Sequence, residues 1–468
     1  MTAGPRGRRV SWGVLAALGL GMAAPAAAGE RWQEALAPVC ATPAAADAAL
    51  CAAAGKASPA ELEQLGSRLE RLGRFADAAA VETKVVAVRR AASPTAPAAL
   101  VRSLARQSLL LRRAGRYAEA TAAASAALGE PLPAGPDADA ARATALEADG
   151  MMARALGNYG HAEAQLRAAL ALRRQEIPAD PAPLAELTEA LADAVGNSGR
   201  LPDALQLAQQ AADQAEQVDG KAGPFHAHVT VTLALIDRAL GRFADAEPLL
   251  VSASATIEAA RGPAHPDLAD ALAASGILYR SMGRPKDAEA ATKRALEIRL
   301  ASLGPGHPDV ATSANNLAVI YQRSSRLEPA ETLFRQVIAI REAALGPDSP
   351  EVGSACNNLA ELLRSENRLA EAETYYLRSV QIRARALGPD HPEVATSLAN
   401  LALLHRQQDR LSLAENELRR ALSIREKALP PDHPDIASTL TNLGDVLVAE
   451  DRSDDAIGVY ARALAIQE

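Results

Sequence analysis

Four asparagines recur at one interval in the C-terminal half of this 468-residue chain: Asn316, Asn358, Asn400 and Asn442, each 42 residues from the last. A primary amide carries donors and an acceptor together, so such a column can hold the peptide groups of an extended segment whatever its side chains are. The same chemistry suits a second role, tying one copy of a repeated unit to the next, and the residue types alone leave both open. Asn315 and Asn357 adjoin the column, and Arg323, Arg364 and Arg406 follow it closely in sequence. A guanidinium there would pair with the carboxylates of an acidic partner segment; as ordinary solvated charge it would contribute little.

Five further motifs repeat at the same interval: His265-Pro266-Asp267, His307-Pro308-Asp309, Ser349-Pro350-Glu351, His391-Pro392-Glu393 and His433-Pro434-Asp435. Histidines beside carboxylates suggest metal ligation, but equivalent positions in stacked helices lie roughly 10 Å apart, whereas a zinc ion needs its ligands at about 2 Å. Helix initiation explains every copy. Proline at the first helical position loses no hydrogen bond, the acid meets the positive end of the helix dipole, and serine replaces histidine as a favoured N-cap. The chain has no glycine-rich phosphate loop, no His-Glu-x-x-His and no Gly-x-Ser-x-Gly elbow. Cys356 shares a column with Leu272, Ala314, Leu398 and Leu440, which marks it as a packing residue. No catalytic residue, metal or cofactor is expected, and the chain reads as non-enzymatic; a cryptic enzyme ranks below that reading.

These residues sit in an unbroken register. Arginine, once asparagine, recurs at 74, 116, 158, 200, 242, 284, 326, 368, 410 and 452, and alanine stands four residues after each one, from Ala78 to Ala456. Within each 42-residue unit the pattern predicts two antiparallel helices. Val310, Ala314, Leu317, Ala318 and Tyr321 share one helix face, and Ala330, Phe334, Val337 and Ile338 share another. A turn at Ser324-Ser325-Arg326 separates the two, and Gly346-Pro347 ends the second, with Gly346 expected as a left-handed C-terminal cap.

Leu317-Ala318, Tyr321, Ala330, Phe334 and the alanines at 295 and 421 resemble the tetratricopeptide repeat. The run Leu-Gly-Pro-Asp-His-Pro-Glu-Val at 387–394, with Asn-Leu-Ala at 400–402, is similar to the 42-residue variant of kinesin light chains. The resemblance covers about 59–468 and is specific from 261 onward. It implies an all-α fold: a right-handed α-solenoid of about ten tetratricopeptide-like helix-turn-helix repeats, degenerate over 59–260 and kinesin-light-chain-like over 261–468. It also implies that the asparagine face lines a concave groove in which asparagine holds a peptide backbone.

The N-terminus reads as a targeting segment. Arg6, Arg8 and Arg9 precede an apolar stretch from Val10 to Ala24, and Ala26-Ala27-Ala28 supplies a small-residue cleavage site. Residues 1–28 are therefore expected to be a signal peptide, and the mature chain periplasmic or secreted. Loss of the three arginines takes the formal charge from −8 to −11, which disfavours nucleic acid as a partner; no second stretch of spanning length follows, so no membrane association is expected after cleavage. Residues 29–58 would cover the first repeat. Export places Cys40 and Cys51 in an oxidising compartment, where a disulfide between them competes with two free thiols. The apolar side chains Ile457, Tyr460, Leu464 and Ile466 predict self-association through the C-terminal helix.

The function expected is a protein–protein interaction scaffold that binds an extended segment of a partner, acidic where it meets the arginines. A regulatory receptor for a small exported peptide is the alternative.

Overall fold

The computed structural model describes residues 58–91, 96–176 and 180–467. Residues 56–468 form one compact unit, and every regular element among the described residues is a helix. The expected signal peptide and Cys40–Cys51 pair lie outside the described residues.

The helices alternate as A and B members of ten pairs. The A helices are α1 (Pro59–Arg71), α3 (Pro97–Arg113), α5 (Pro136–Ala155), α7 (Pro181–Asn197), α9 (Pro224–Ala239), α11 (Pro266–Ser281), α13 (Pro308–Arg323), α15 (Pro350–Ser365), α17 (Pro392–Gln407) and α19 (Pro434–Ala449). The B helices are α2 (Phe75–Ala91), α4 (Tyr117–Gly129), α6 (Tyr159–Arg173), α8 (Leu201–Asp219), α10 (Phe243–Arg261), α12 (Pro285–Leu303), α14 (Leu327–Leu345), α16 (Leu369–Leu387), α18 (Leu411–Ala428) and α20 (Ser453–Gln467). Each A helix packs on its own B helix, and successive A helices also pack on one another, whereas no comparable packing joins successive B helices. The A helices are therefore the inner, concave layer of a solenoid.

Every A helix starts on proline, including the five before residue 225 that lack the His-Pro-Asp motif. Proline's missing N–H belongs to a donor that has no intrahelical acceptor anyway. The caps differ in kind. At α11, α13, α17 and α19 a histidine Nδ1 accepts the amide of the residue two further on, at 3.1–3.3 Å. At α15 the Ser349 hydroxyl accepts from Val352. Upstream, Ser58 and Glu61 form a reciprocal capping box on α1, and Asp180 accepts from Ala182 at α7.

The alanine column explains how the pairs close. Ala78, Ala120, Ala162, Ala204, Ala246, Ala288, Ala330, Ala372 and Ala414 are 0% exposed, because each stands where A and B cross and a larger side chain would hold the axes apart. On the A side the facing position is equally small. A Cβ on Gly276 would lie 2.3 Å from Thr292 Oγ1, and one on Gly444 2.6 Å from the Tyr460 ring.

Two arginine columns lock the units together. Arg299, Arg383 and Arg425, all nearly buried, bridge three helices. Arg383 donates to Ser354 on α15 at 2.9 Å, and to the Glu393 carbonyl and Ser397 on α17 at 3.1 and 2.7 Å. The second column is the turn arginine of the repeat signature. Arg368 and Arg452 each pair with the acid three residues on and with a glutamate 37 residues back, on the preceding B helix.

Gly346 corrects one expectation. Its φ of 88° is positive, but its ψ of 155° is extended rather than left-handed helical. The chain must straighten at once to reach the next A helix, and that combination is open essentially to glycine alone. The left-handed conformation sits instead in the A–B turn. Glycine occupies it in the first six repeats, from Gly73 to Gly283, and Ser325, Asn367, Asp409 and Asp451 occupy it in the last four, at φ of 57–61°.

The solenoid also touches itself. His265 Nε2 lies 3.1 Å from the Arg71 carbonyl oxygen, and Arg113 reaches Asp267 at 2.8 Å. A Cβ on Gly73 would come within 2.6 Å of Pro266 Cδ. One turn of the superhelix thus rests on the next, α1 against α11 and α3 against α13.

Candidate protein-interaction groove

The asparagine column falls on the inner helices: Asn315 and Asn316 on α13, Asn357 and Asn358 on α15, Asn400 on α17 and Asn442 on α19, all half-buried. Asn358 Nδ2 donates to Asn315 Oδ1 at 3.0 Å, and Asn400 Nδ2 donates to Asn357 Oδ1 at 3.0 Å. Each contact spends one donor and one acceptor, and an amide has more of both. Asn358 Oδ1 and Asn315 Nδ2 have no side-chain partner in the described structure, and neither do Asn316 and Asn442. Adjacent repeats are tied together, and the column retains capacity for a ligand.

The three arginines divide. Arg364 pairs with Glu361 at 2.7 Å and reaches Gln407, and Arg406 pairs with Asp445 at 2.5 Å. Arg323 is exposed and has no partner among the described residues. Arg364 and Arg406 also belong to a longer column on the inner face that the sequence reading overlooked: Arg112, Arg154, Arg238 and Arg280 precede them at multiples of 42 residues. Its signal was present in the spacing but interrupted at Gly196 and Gln322.

Arg112, Arg238, Arg280 and Arg323 have no ion pair among the described residues, and burial with Arg154 and Arg113 pushes Arg112 down to about 10. Burial holds the Arg280 guanidinium below its ordinary range, and Arg323 and Arg238 add like-charge repulsion. Burial alone lowers Arg238, whose nearest acceptor is Ser281 Oγ at 3.5 Å. Arg154, by contrast, pairs with Asp193 at 3.0 Å. A cation that lacks an internal counterion and loses water is stabilised by an arriving anion.

Cys356 is 0% exposed in the core, and burial pushes its thiol up to about 11. His265 keeps Nδ1 as acceptor and Nε2 as donor, and burial with Arg261 nearby lowers it to about 4. Among the described residues no group of three or more His, Cys, Asp or Glu could hold a metal ion, and no helix is long and apolar enough to cross a membrane.

The architecture is that of a helical-repeat protein. Tetratricopeptide-repeat family models match residues 225–301, 310–351, 351–427 and 414–468, and the chain belongs to the tetratricopeptide repeat family. Among solved structures, BtubC (BKLC) from P. vanneervenii is 23% identical, covers 51% of this chain and 89% of its own, and has a TM-score of 0.39. A kinesin-light-chain-type protein from Podosopora anserina with nearly identical TPR-like repeats is 24% identical, covers 43% and 96%, and has a TM-score of 0.38. A Rap protein complexed with Competence and Sporulation Factor is 15% identical, covers 75% and 98%, and has a TM-score of 0.52. No curated protein matches the chain. Solenoids of this family are typically non-catalytic protein-interaction scaffolds.

Proposed function

We propose that the chain is an exported scaffold that binds an extended, acidic segment of a partner protein along the inner face of α9 to α19. The observation that carries this reading is the juxtaposition of half-used amides with guanidinium groups that lack an internal counterion. Asparagines 315, 316, 357, 358, 400 and 442 would hold the partner's backbone, and Arg238, Arg280 and Arg323 its carboxylates. Arg364 and Arg406 would position that surface through Glu361 and Asp445 rather than contact the partner first.

The test is a cross-linking pull-down from the exported fraction. It compares wild type with a variant in which Asn316, Asn358, Asn400 and Asn442 are alanine, and with R238A/R280A/R323A. Loss of the same partner from both variants, with unchanged circular dichroism, is the expected result; full recovery with either would remove the groove from the reading. N-terminal sequencing of the same material checks export, which requires a mature chain beginning at Gly29.

A peptide receptor is the second reading, favoured by the fold shared with a Rap protein that is complexed with Competence and Sporulation Factor. Saturable one-to-one binding of a single small peptide, with no larger partner recovered, would select it.

A further inference from the structure

The N-terminal repeats hold a cavity of about 500 Å³ lined by α1, α2, α3, α5, α6 and α7, none of which carries the asparagine column. Its charged lining is unevenly satisfied. The guanidinium groups are engaged: Arg89 with Glu63 at 2.6 Å, Arg102 with Asp137 at 2.7 Å, and Arg173 with Glu176 at 3.0 Å and Thr144 at 2.8 Å. Arg106 donates to Ser67 at 2.8 Å and reaches Glu70 at 3.3 Å. Glu63 and Glu70 share in those pairs, whereas Glu82, Glu147 and Glu186 are poorly engaged. Glu82 is 0% exposed, and neither of its oxygens accepts a hydrogen bond. Its nearest cation is Arg106 Nε at 3.4 Å. Glu147, also buried, is 3.8 Å from Arg173, and Glu186 has no ion pair among the described residues.

A buried carboxyl so poorly supplied with donors is a costly arrangement that proteins seldom keep without a use. What it lacks is a group rich in N–H donors. An anion would find only the Nε atoms of Arg106 and Arg173 without acceptors, next to three carboxyls that repel it.

We propose that this cavity binds a cationic group, an ammonium or guanidinium, held by Glu82, Glu147 and Glu186. Protonation fits that role. Burial raises Glu82 to about 7, opposed by the charge of Arg106, by the Ser103 hydroxyl and by Arg89, with Glu63 adding repulsion. Burial and the charge of Glu186 raise Glu147 to about 7, opposed by Arg173 and Arg112. Desolvation by the surrounding helices raises Glu186 as well, although its side chain is exposed, with His228 opposing and Glu70 and Glu189 reinforcing. The empty site therefore stores protons that a cation displaces, so binding at about pH 6 releases protons to the buffer.

The experiment is calorimetric titration of the full chain with three probes: agmatine, acetyl-Arg-Arg-amide and acetyl-Glu-Glu-amide. Each is run at about pH 6 in two buffers of different ionisation enthalpy. One or both cationic probes should bind with proton release. E82Q/E147Q should weaken binding by about tenfold or more and abolish the buffer dependence, and R238A/R280A/R323A should leave it unchanged. Binding of the dipeptide alone assigns the site to a basic side chain of a polypeptide; binding of agmatine alone assigns it to a free organic cation. Glutamine resembles the protonated carboxyl, so E82Q/E147Q should fold; if it does not, E186Q, whose side chain is exposed, carries the test. Absence of cationic binding, wild-type binding by E186Q, or preference for the acidic dipeptide would overturn the assignment. None of these outcomes bears on the partner groove of the later repeats.

Discussion

His307 Nε2 lies 3.0 Å from the carbonyl oxygen of Arg113, although 194 residues separate them. The same offset joins His265 to Arg71. Each histidine thus caps its own helix with Nδ1 and pins the preceding superhelical turn with Nε2.

Gly115 makes that contact possible, since a Cβ there would meet Pro308 Cδ at 2.7 Å and His307 Cδ2 at 2.9 Å. Gly241 has nearly the same φ, 76° against 74°, and open space around it. Both Gly→Ala variants carry the same backbone strain, so their difference isolates the contact. Gly115→Ala should cost about 1–3 kcal/mol more in chemical denaturation and enlarge the radius of gyration in X-ray scattering. Equal behaviour of the two would mean that the turns do not rest on each other in solution.

Arg383→Ala should be far more damaging than Arg452→Ala. The first strands buried acceptors on two neighbouring A helices and should cost roughly 3 kcal/mol. The second breaks half-exposed pairs at the surface, for which about 1 kcal/mol is expected. Urea midpoints of the two variants decide the matter.

Stability should fall as pH rises through neutrality. Glu82 and Glu147 are raised in the folded state from 4.5 to about 7, so the native chain holds protons that the unfolded chain has released. Their contribution is complete below about pH 4.5 and is lost as pH passes about 7. Glu82→Gln should flatten this slope and raise stability at about pH 8 by of order 1–3 kcal/mol. A melting temperature that rises between about pH 5 and 8 for the wild type and not for the variant would contradict this assignment.

Cys356 should resist thiol reagents in the native chain and react once the chain is denatured, as its burial requires. The same titration, without reductant, reads the Cys40–Cys51 proposal. A bridged chain yields one reactive thiol after denaturation, and an unbridged chain yields three.

The local order of this fold is legible because it depends on neighbours at fixed spacing. Ala330 reports the A–B crossing and His307-Pro308 the helix start, each from a few residues of sequence. Less local facts escape. The approach of His265 to Arg71 depends on small rotations accumulated over several repeats, which no single unit encodes. Asn358 and Asn315 were visible as amides, but their pairing needed the offset between α13 and α15. The N-terminal repeats read as degenerate because His-Pro-Asp is missing there, yet Pro97, Pro136 and Pro181 start their helices as Pro308 does. Glu82 gave no warning at all, since one glutamate on an alanine-rich helix looks solvated until the neighbouring repeats enclose it.

The contact between turns has a consequence for how cargo gets in. Where α1 meets α11 and α3 meets α13 the side wall is shut, so a strand cannot slip between coils at that height. On the proposed reading, a segment held between two bulky folded domains would have no route through that wall, so the winding itself would discriminate among partners by their topology.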